Sequence, residues 1–134
     1  MLFGDEHVRR YEETDGADGY EWQGTTTLIL TTTGRKSGQE RRNPLIYRQH
    51  GDDYLIVASK GGADTSPDWY LNLVAHPDVR VQVKGDKFNA RARTATAGER
   101  PEMWQVMAET WPAYNDYQQK TQREIPIVVL ERVS

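Results

Sequence analysis

The chain has 134 residues, a formal net charge of −3 and no cysteine, which suits one domain in a reducing cytoplasm and leaves no disulfide, thiolate nucleophile or cysteine-ligated metal. No run of 18 apolar residues is present, so a helical membrane span is excluded, and Met1-Leu2-Phe3 ahead of Gly4-Asp5-Glu6 is too short for a secretory core. The acidic balance argues against nucleic acid as a partner.

In chain order, residues 1–24 form an acidic segment: a short helix around 6–13 and a glycine-containing loop, or poorly ordered chain. The main domain then occupies 25–134. Residues 25–33 are dense in β-branched side chains and predict a strand, 43–48 a second, and 54–59 a third after the turn Gly51-Asp-Asp53. Ser66-Pro67-Asp68 predicts a helix start, with Ser66 as N-cap and Pro67 at the first helical position, and His76-Pro77 ends that helix. Val79, Val81 and Val83 alternate with polar residues as a fourth strand, and 87–95 form a fifth. Thr96 and Glu99 make a capping box for a helix carrying Met103, Met107 and Trp111; Pro112 breaks it and seeds another with Tyr114 and Tyr117. Residues 125–130 are the last strand, with Pro126 at its edge. Six short strands and helical crossovers predict an α+β, mostly antiparallel barrel.

The chemistry-bearing patterns are few. His7, His50 and His76 lack metal spacing and read as surface or capping residues, and HExxH, GxSxG and GxxxxGK[ST] are absent. The N-terminal carboxylates read as a solvated face. Against the acidic background stands a cationic turn, Gly34-Arg-Lys-Ser-Gly38 with Arg41, and a hairpin away lies Ser59-Lys-Gly-Gly62. Glycines around a cationic turn let backbone N–H groups converge on an anion, and arginine adds planar donors for phosphate or carboxylate. Trp69 and Tyr70 follow the second motif. Trp104 and Trp111 read as core, whereas Tyr114 and Tyr117 each combine a flat apolar face with a proton donor. An anion cradle beside an aromatic cleft suits a ligand with a ring and a charged tail.

These residues resemble the deazaflavin-dependent nitroreductase family of actinobacteria. The motifs are Thr31-Thr-Thr-Gly-Arg-Lys-Ser-Gly-Gln39, Arg41, Asn43-Pro-Leu45, Ala58-Ser-Lys-Gly-Gly-Ala63, Trp69-Tyr-Leu-Asn-Leu73, Tyr114-x-x-Tyr117-Gln118 and Ile125-Pro-Ile-Val-Val129, in order across residues 26–133. The resemblance implies a split β-barrel of the FMN-binding type that binds coenzyme F420, an 8-hydroxy-5-deazaflavin with a phosphate and oligoglutamate tail. It implies that Arg35, Lys36, Ser37, Arg41 and Lys60 hold the tail, and that Arg42, Asn43, Pro44, Leu45 and Ile46 line the channel. Val57, Ala58 and Ser59 then run along the ring, and Asp68, Trp69, Tyr70, Leu71 and Asn72 close the other side. Tyr114, Ser59 and Tyr117 become the candidate catalytic residues, with no metal.

The implied activity is hydride transfer from reduced deazaflavin to a small electron-poor acceptor such as a quinone, an enone or a nitroaromatic. The expected setting is cytoplasmic, peripheral at the membrane if the acceptor is a quinone. Three departures stand out. Nitroreductase-type relatives carry tyrosine where this chain has Ile46 and Trp111, and a longer basic or apolar N-terminal segment where this one is short and acidic. Two alternatives share the basic turn: an FMN-binding split barrel, and a carrier that binds F420 without turnover. Monomer and dimer remain open at this stage.

Overall fold

The computed structural model describes residues 2–133. Four helices, α1 (Gly4–Thr14), α2 (Asp68–Ala75), α3 (Arg100–Thr110) and α4 (Ala113–Gln119), surround a curled antiparallel sheet. Its strands are β1 (Glu21–Trp22), β2 (Thr25–Thr33), β3 (Glu40–Ile46), β4 (Arg48–His50), β5 (Asp53–Val57), β6 (Asp78–Val83), β7 (Asp86–Thr94) and β8 (Ile127–Arg132). Hydrogen bonding runs in the order β1-β2-β6-β7-β8-β5-β4, and β3 also pairs with β2. This is the α+β split barrel that the sequence predicts.

The sheet curls shut through one bent stretch of chain. Residues 40–46 pair with β2, from Thr33↔Glu40 to Thr27↔Ile46, and residues 48–50 pair with β5 instead. The bend is at Tyr47, whose ring is buried in the barrel while its N–H reaches Thr26 O at 3.2 Å. Sequence reading treats this stretch as one strand over 43–48. The bend and the two-residue β1 account for the difference between six predicted and eight observed strands.

Both faces of several strands are covered, which is why their sequences run apolar without alternation. Leu28 and Leu30 of β2 point into the barrel with Ile56, Val81, Phe88, Val128 and Leu130, while Ile29 points out to Val8 and Tyr11 of α1. Leu55, Val57, Ile127 and Val129 likewise face outward, onto Met103 and Met107 of α3 and Tyr114 of α4. The acidic helix is stitched down by the fully buried Tyr11. Its hydroxyl donates toward Thr27 O at 3.0 Å and accepts from Lys84 N at 2.8 Å.

The predicted caps fare differently. At α3 the box forms: Thr96 N donates to Glu99 Oε1 at 2.9 Å and Glu99 N to Thr96 Oγ1 at 3.3 Å. Arg93 also grips Glu99 through two bonds of 2.7 and 2.9 Å and holds its carboxyl down at about 2. At α2 the helix starts one residue later than predicted. Pro67 occupies the N-cap position in an extended conformation, and its carbonyl accepts from the N–H groups of Tyr70 and Leu71, so Ser66 is not the cap.

Candidate functional site

Two connected hollows lie on one end of the barrel. The larger is an open groove of about 1350 Å³ between α1, the 34–43 segment and the start of α2. The smaller, of about 430 Å³, is mainly apolar and is lined by Leu45, Ile46, Val57, Trp69, Trp111 and Tyr114 among others. Lys60, Pro67 and Trp69 border both, so a ligand can run from one into the other.

The groove is cationic along one wall. The turn that carries it is closed by Gly34 N to Gln39 O at 2.7 Å and Gly38 N to Gly34 O at 2.9 Å, with Gly38 at φ +71°. Ser37 Oγ accepts from Gln39 N at 3.2 Å, which makes that side chain part of the turn's own bonding. Arg35 is anchored on α2: its backbone N and Nη1 both donate to Asn72 Oδ1, at 3.1 and 2.9 Å, and Nη2 lies 3.4 Å from Asp68. Arg42 lies between Glu12 of α1, at 3.6 Å, and Glu40, at 3.4 Å. Lys36, Arg41 and Lys60, by contrast, have no carboxylate within ion-pair distance among the described residues. Lys60 donates only to the hydroxyl of Thr65, at 3.3 Å, and three cations without a carboxylate partner among the described residues, gathered in one groove, are suited to a polyanion.

The pocket is built from aromatic side chains. Tyr114 is buried, and its hydroxyl, on the pocket wall, has no hydrogen-bond partner among the described residues. Burial pushes its ionisation well above the usual tyrosine range, with the neighbouring Tyr117 adding to the shift. Tyr117 packs edge-on against Tyr114 at 6.1 Å, and its hydroxyl accepts from Trp111 Nε1 at 3.5 Å. Trp111 leans on Trp22 at 5.9 Å, and Phe3 meets Trp22 edge-on at 5.8 Å, so the N-terminal chain forms one side of the mouth.

Between groove and pocket lies the 59–63 loop. Lys60, Gly61 and Gly62 are all left-handed, at φ +48°, +65° and +86°. Gly62 is also needed for space, because a Cβ there would sit 2.8 Å from Tyr117 O in α4.

The structure therefore gathers most of the residues singled out from sequence. Arg35, Lys36, Ser37, Arg41, Arg42, Asn43, Asp68 and Asn72 line the groove; Pro44, Leu45, Ile46, Val57, Ser59 and Tyr117 line the pocket. Three are placed elsewhere. Ala58 is fully buried on the barrel side, Tyr70 bonds Thr94 Oγ1 at 2.9 Å, and Leu71 sits on the exposed face of α2. The loop register explains Ala58: its N–H is used by Pro126 O and its carbonyl by Arg123.

Sequence reasoning missed a second set. His7 is not a surface or capping residue: it is 2% exposed, its Nε2 lies 2.7 Å from Gly19 O, and it borders the pocket. Its position one turn before Tyr11 on the buried face of α1 was the available signal. Trp111 reads as core from its spacing yet lines the pocket, and Trp22 joins it there. Asp5, Glu12 and Glu13, read as a solvated face, form the groove's acidic wall.

The sequence matches the family described as F420H(2)-dependent quinone reductase over residues 4–132. This chain belongs to that family. It is 42% identical to an F420H(2)-dependent quinone reductase of Mycobacterium tuberculosis, over 94% of this chain and 87% of the relative. Among solved structures, an F420-H2-dependent reductase superposes with a TM-score of 0.73 at 40% identity, covering 78% of this chain and 93% of that one. A structure described as a domain-swapped dimer gives 0.75 at 36% identity, covering 92% and 96%. Family membership makes coenzyme F420 the cofactor and the protein an oxidoreductase. Among the described residues no helix is long and apolar enough to cross a membrane.

Proposed function

We propose that this protein binds reduced F420 across the groove and pocket and passes hydride to a quinone held against the aromatic wall, working in the cytoplasm or at a membrane surface. The observation that carries the reading is the junction at Lys60. An apolar pocket sized for a ring system opens directly into a groove whose Lys36, Arg41 and Lys60 lack carboxylate partners among the described residues. When bound, the reduced deazaflavin supplies the hydride, and the protein supplies position and electrostatics.

The chain's own residues then have separate tasks. Lys36, Arg41 and Lys60 hold the phosphate and oligoglutamate tail, and Arg35 is pre-set for it by Asn72. Trp111 and Trp22 wall the acceptor from water. Tyr114 keeps its proton, because burial disfavours phenolate, and so donates a hydrogen bond to the acceptor oxygen on which negative charge develops. Water held at Ser59 supplies the proton that finishes the reduction.

The test is a fluorescence titration with oxidised F420 beside FMN at two salt concentrations, followed by quinone-dependent oxidation of reduced F420. Saturable, salt-weakened binding of F420 and quinone-dependent turnover are expected. Preference for FMN overturns the cofactor assignment, and tight F420 binding without turnover makes the protein a carrier.

A further inference from the structure

The loop between groove and pocket is held from behind by a residue outside every motif singled out in the sequence. Arg123, in the segment between α4 and β8, donates from Nε to Ala63 O at 2.8 Å and from Nη2 to Ala58 O at 3.2 Å and Ser59 O at 2.9 Å. It has no carboxylate partner among the described residues, and its Nη1 is buried without a hydrogen bond. Thr121 reinforces the attachment by donating to Asp64 at 2.8 Å.

These bonds fix where the opposite ends of the peptide groups point. In a trans peptide the N–H is directed away from the carbonyl, and no cis bond is present among the described residues. With the carbonyls of Ala58 and Ser59 turned toward Arg123, the N–H groups of Ser59 and Lys60 turn away from it, on the side where both residues border the pocket. Ser59 is right-handed at φ −81°, ψ −38°, and Lys60 is left-handed at φ +48°. That pair of conformations makes three successive N–H groups, of Ser59, Lys60 and Gly61, converge as an anion-binding concavity. None of the three has a hydrogen-bond partner among the described residues.

We propose that Arg123 is a positioning residue that holds Ser59–Gly61 as a preformed nest for an anionic oxygen of the cofactor. The inference rests on F420 being the ligand. The required chemistry is found on the ring, at the oxygen that takes up charge when the 8-hydroxyl ionises, and on the tail, at its phosphate and carboxylates. Ser59 and Gly61 border the apolar pocket rather than the groove, which favours the ring.

Arg123→Met and Arg123→Lys are titrated with F420 and with the tail-less deazaflavin alcohol, and the bound ring's ionisation is followed by absorbance against pH. Loss of the nest weakens binding about tenfold, and lysine, which cannot bridge three carbonyls, restores only part of it. Weaker binding of both ligands, with the ring ionising at higher pH than in the wild type, places the anionic oxygen on the ring. Weaker binding of F420 alone places it on the tail. Unchanged affinity for both ligands overturns the proposal. So does equal weakening with the ring's ionisation unmoved, the mark of a loop that has merely lost its shape. Failure of the wild-type protein to bind either ligand is a separate result and removes the functional reading itself.

Discussion

Glu12 of α1 and Arg42 of β3 pair at 3.6 Å across the groove, so the proposed tail site has one acidic wall facing a cationic one. Like charge beside an oligoglutamate tail opposes its binding, and neutralising Glu12 both removes that repulsion and releases Arg42. Glu12→Gln is expected to tighten F420 binding by about threefold at low salt, with the gain fading as screening increases. Thermal stability should move little, because exposed ion pairs contribute about 0–1 kcal/mol. Weaker binding in Glu12→Gln would mean that the helix contributes favourably to the tail site. Titrations at two ionic strengths decide it.

Arg41 lines the same groove without a carboxylate partner among the described residues. Arg41→Ala should weaken F420 about tenfold at low salt, leave the tail-less deazaflavin unaffected and leave the melting temperature unchanged. An equal loss for both ligands would remove Arg41 from the tail site.

Asn72 gives the contrasting outcome. It is buried, accepts twice from Arg35 and donates toward Thr32 Oγ1 at 3.5 Å. Asn72→Ala leaves those groups unsatisfied, so it should lower stability by about 1–3 kcal/mol as well as weaken the cofactor. Chemical denaturation alongside the titration separates the two effects.

The cationic turn, the Lys-Gly-Gly loop and the strand pattern were legible because each depends on local rules: turn glycines, β-branched runs and charge contrast. What was not legible depends on which segments meet. The acidic wall exists because Tyr11 and Val8 dock α1 on Ile29, which brings Glu12 opposite Arg42. Trp111 reads as core by its four-residue spacing from Met107, yet the helix ends at Thr110 and its ring turns toward Trp22. Arg123 carries no local signature at all, since its role comes from contact with carbonyls some sixty residues earlier.

Tyr11 sets an alkaline limit on stability. Burial pushes its ionisation up from the ordinary 10 to about 12, so the folded state disfavours the phenolate more than the unfolded chain does. Its contribution is fully present below pH 10 and is lost as pH rises from there toward 12. Tyr11→Phe should lower stability by about 2 kcal/mol at neutral pH, because Lys84 N loses its acceptor and Thr27 O its donor. The variant should also show a shallower decline above pH 10. Urea midpoints between pH 7 and 11 check both, and a decline parallel to the wild type would assign the alkaline loss to other tyrosines.

Tyr114 separates chemistry from binding. Its hydroxyl has no hydrogen-bond partner among the described residues, so Tyr114→Phe removes none of the internal hydrogen bonds seen there and should leave the fold and the F420 affinity nearly unchanged. A hydrogen bond to an oxygen that gains charge in the transition state is worth more there than in the ground state, so quinone reduction should slow by about tenfold to a hundredfold. Because burial holds the phenol protonated well beyond the ordinary range, the wild-type rate should show no Tyr114 ionisation between pH 6 and pH 9. Single-turnover oxidation of reduced F420 by a soluble quinone, run with the affinity titration, makes the comparison direct. Equal losses in rate and affinity would make Tyr114 a packing surface for the cofactor. A rate loss alone places its hydroxyl on the acceptor.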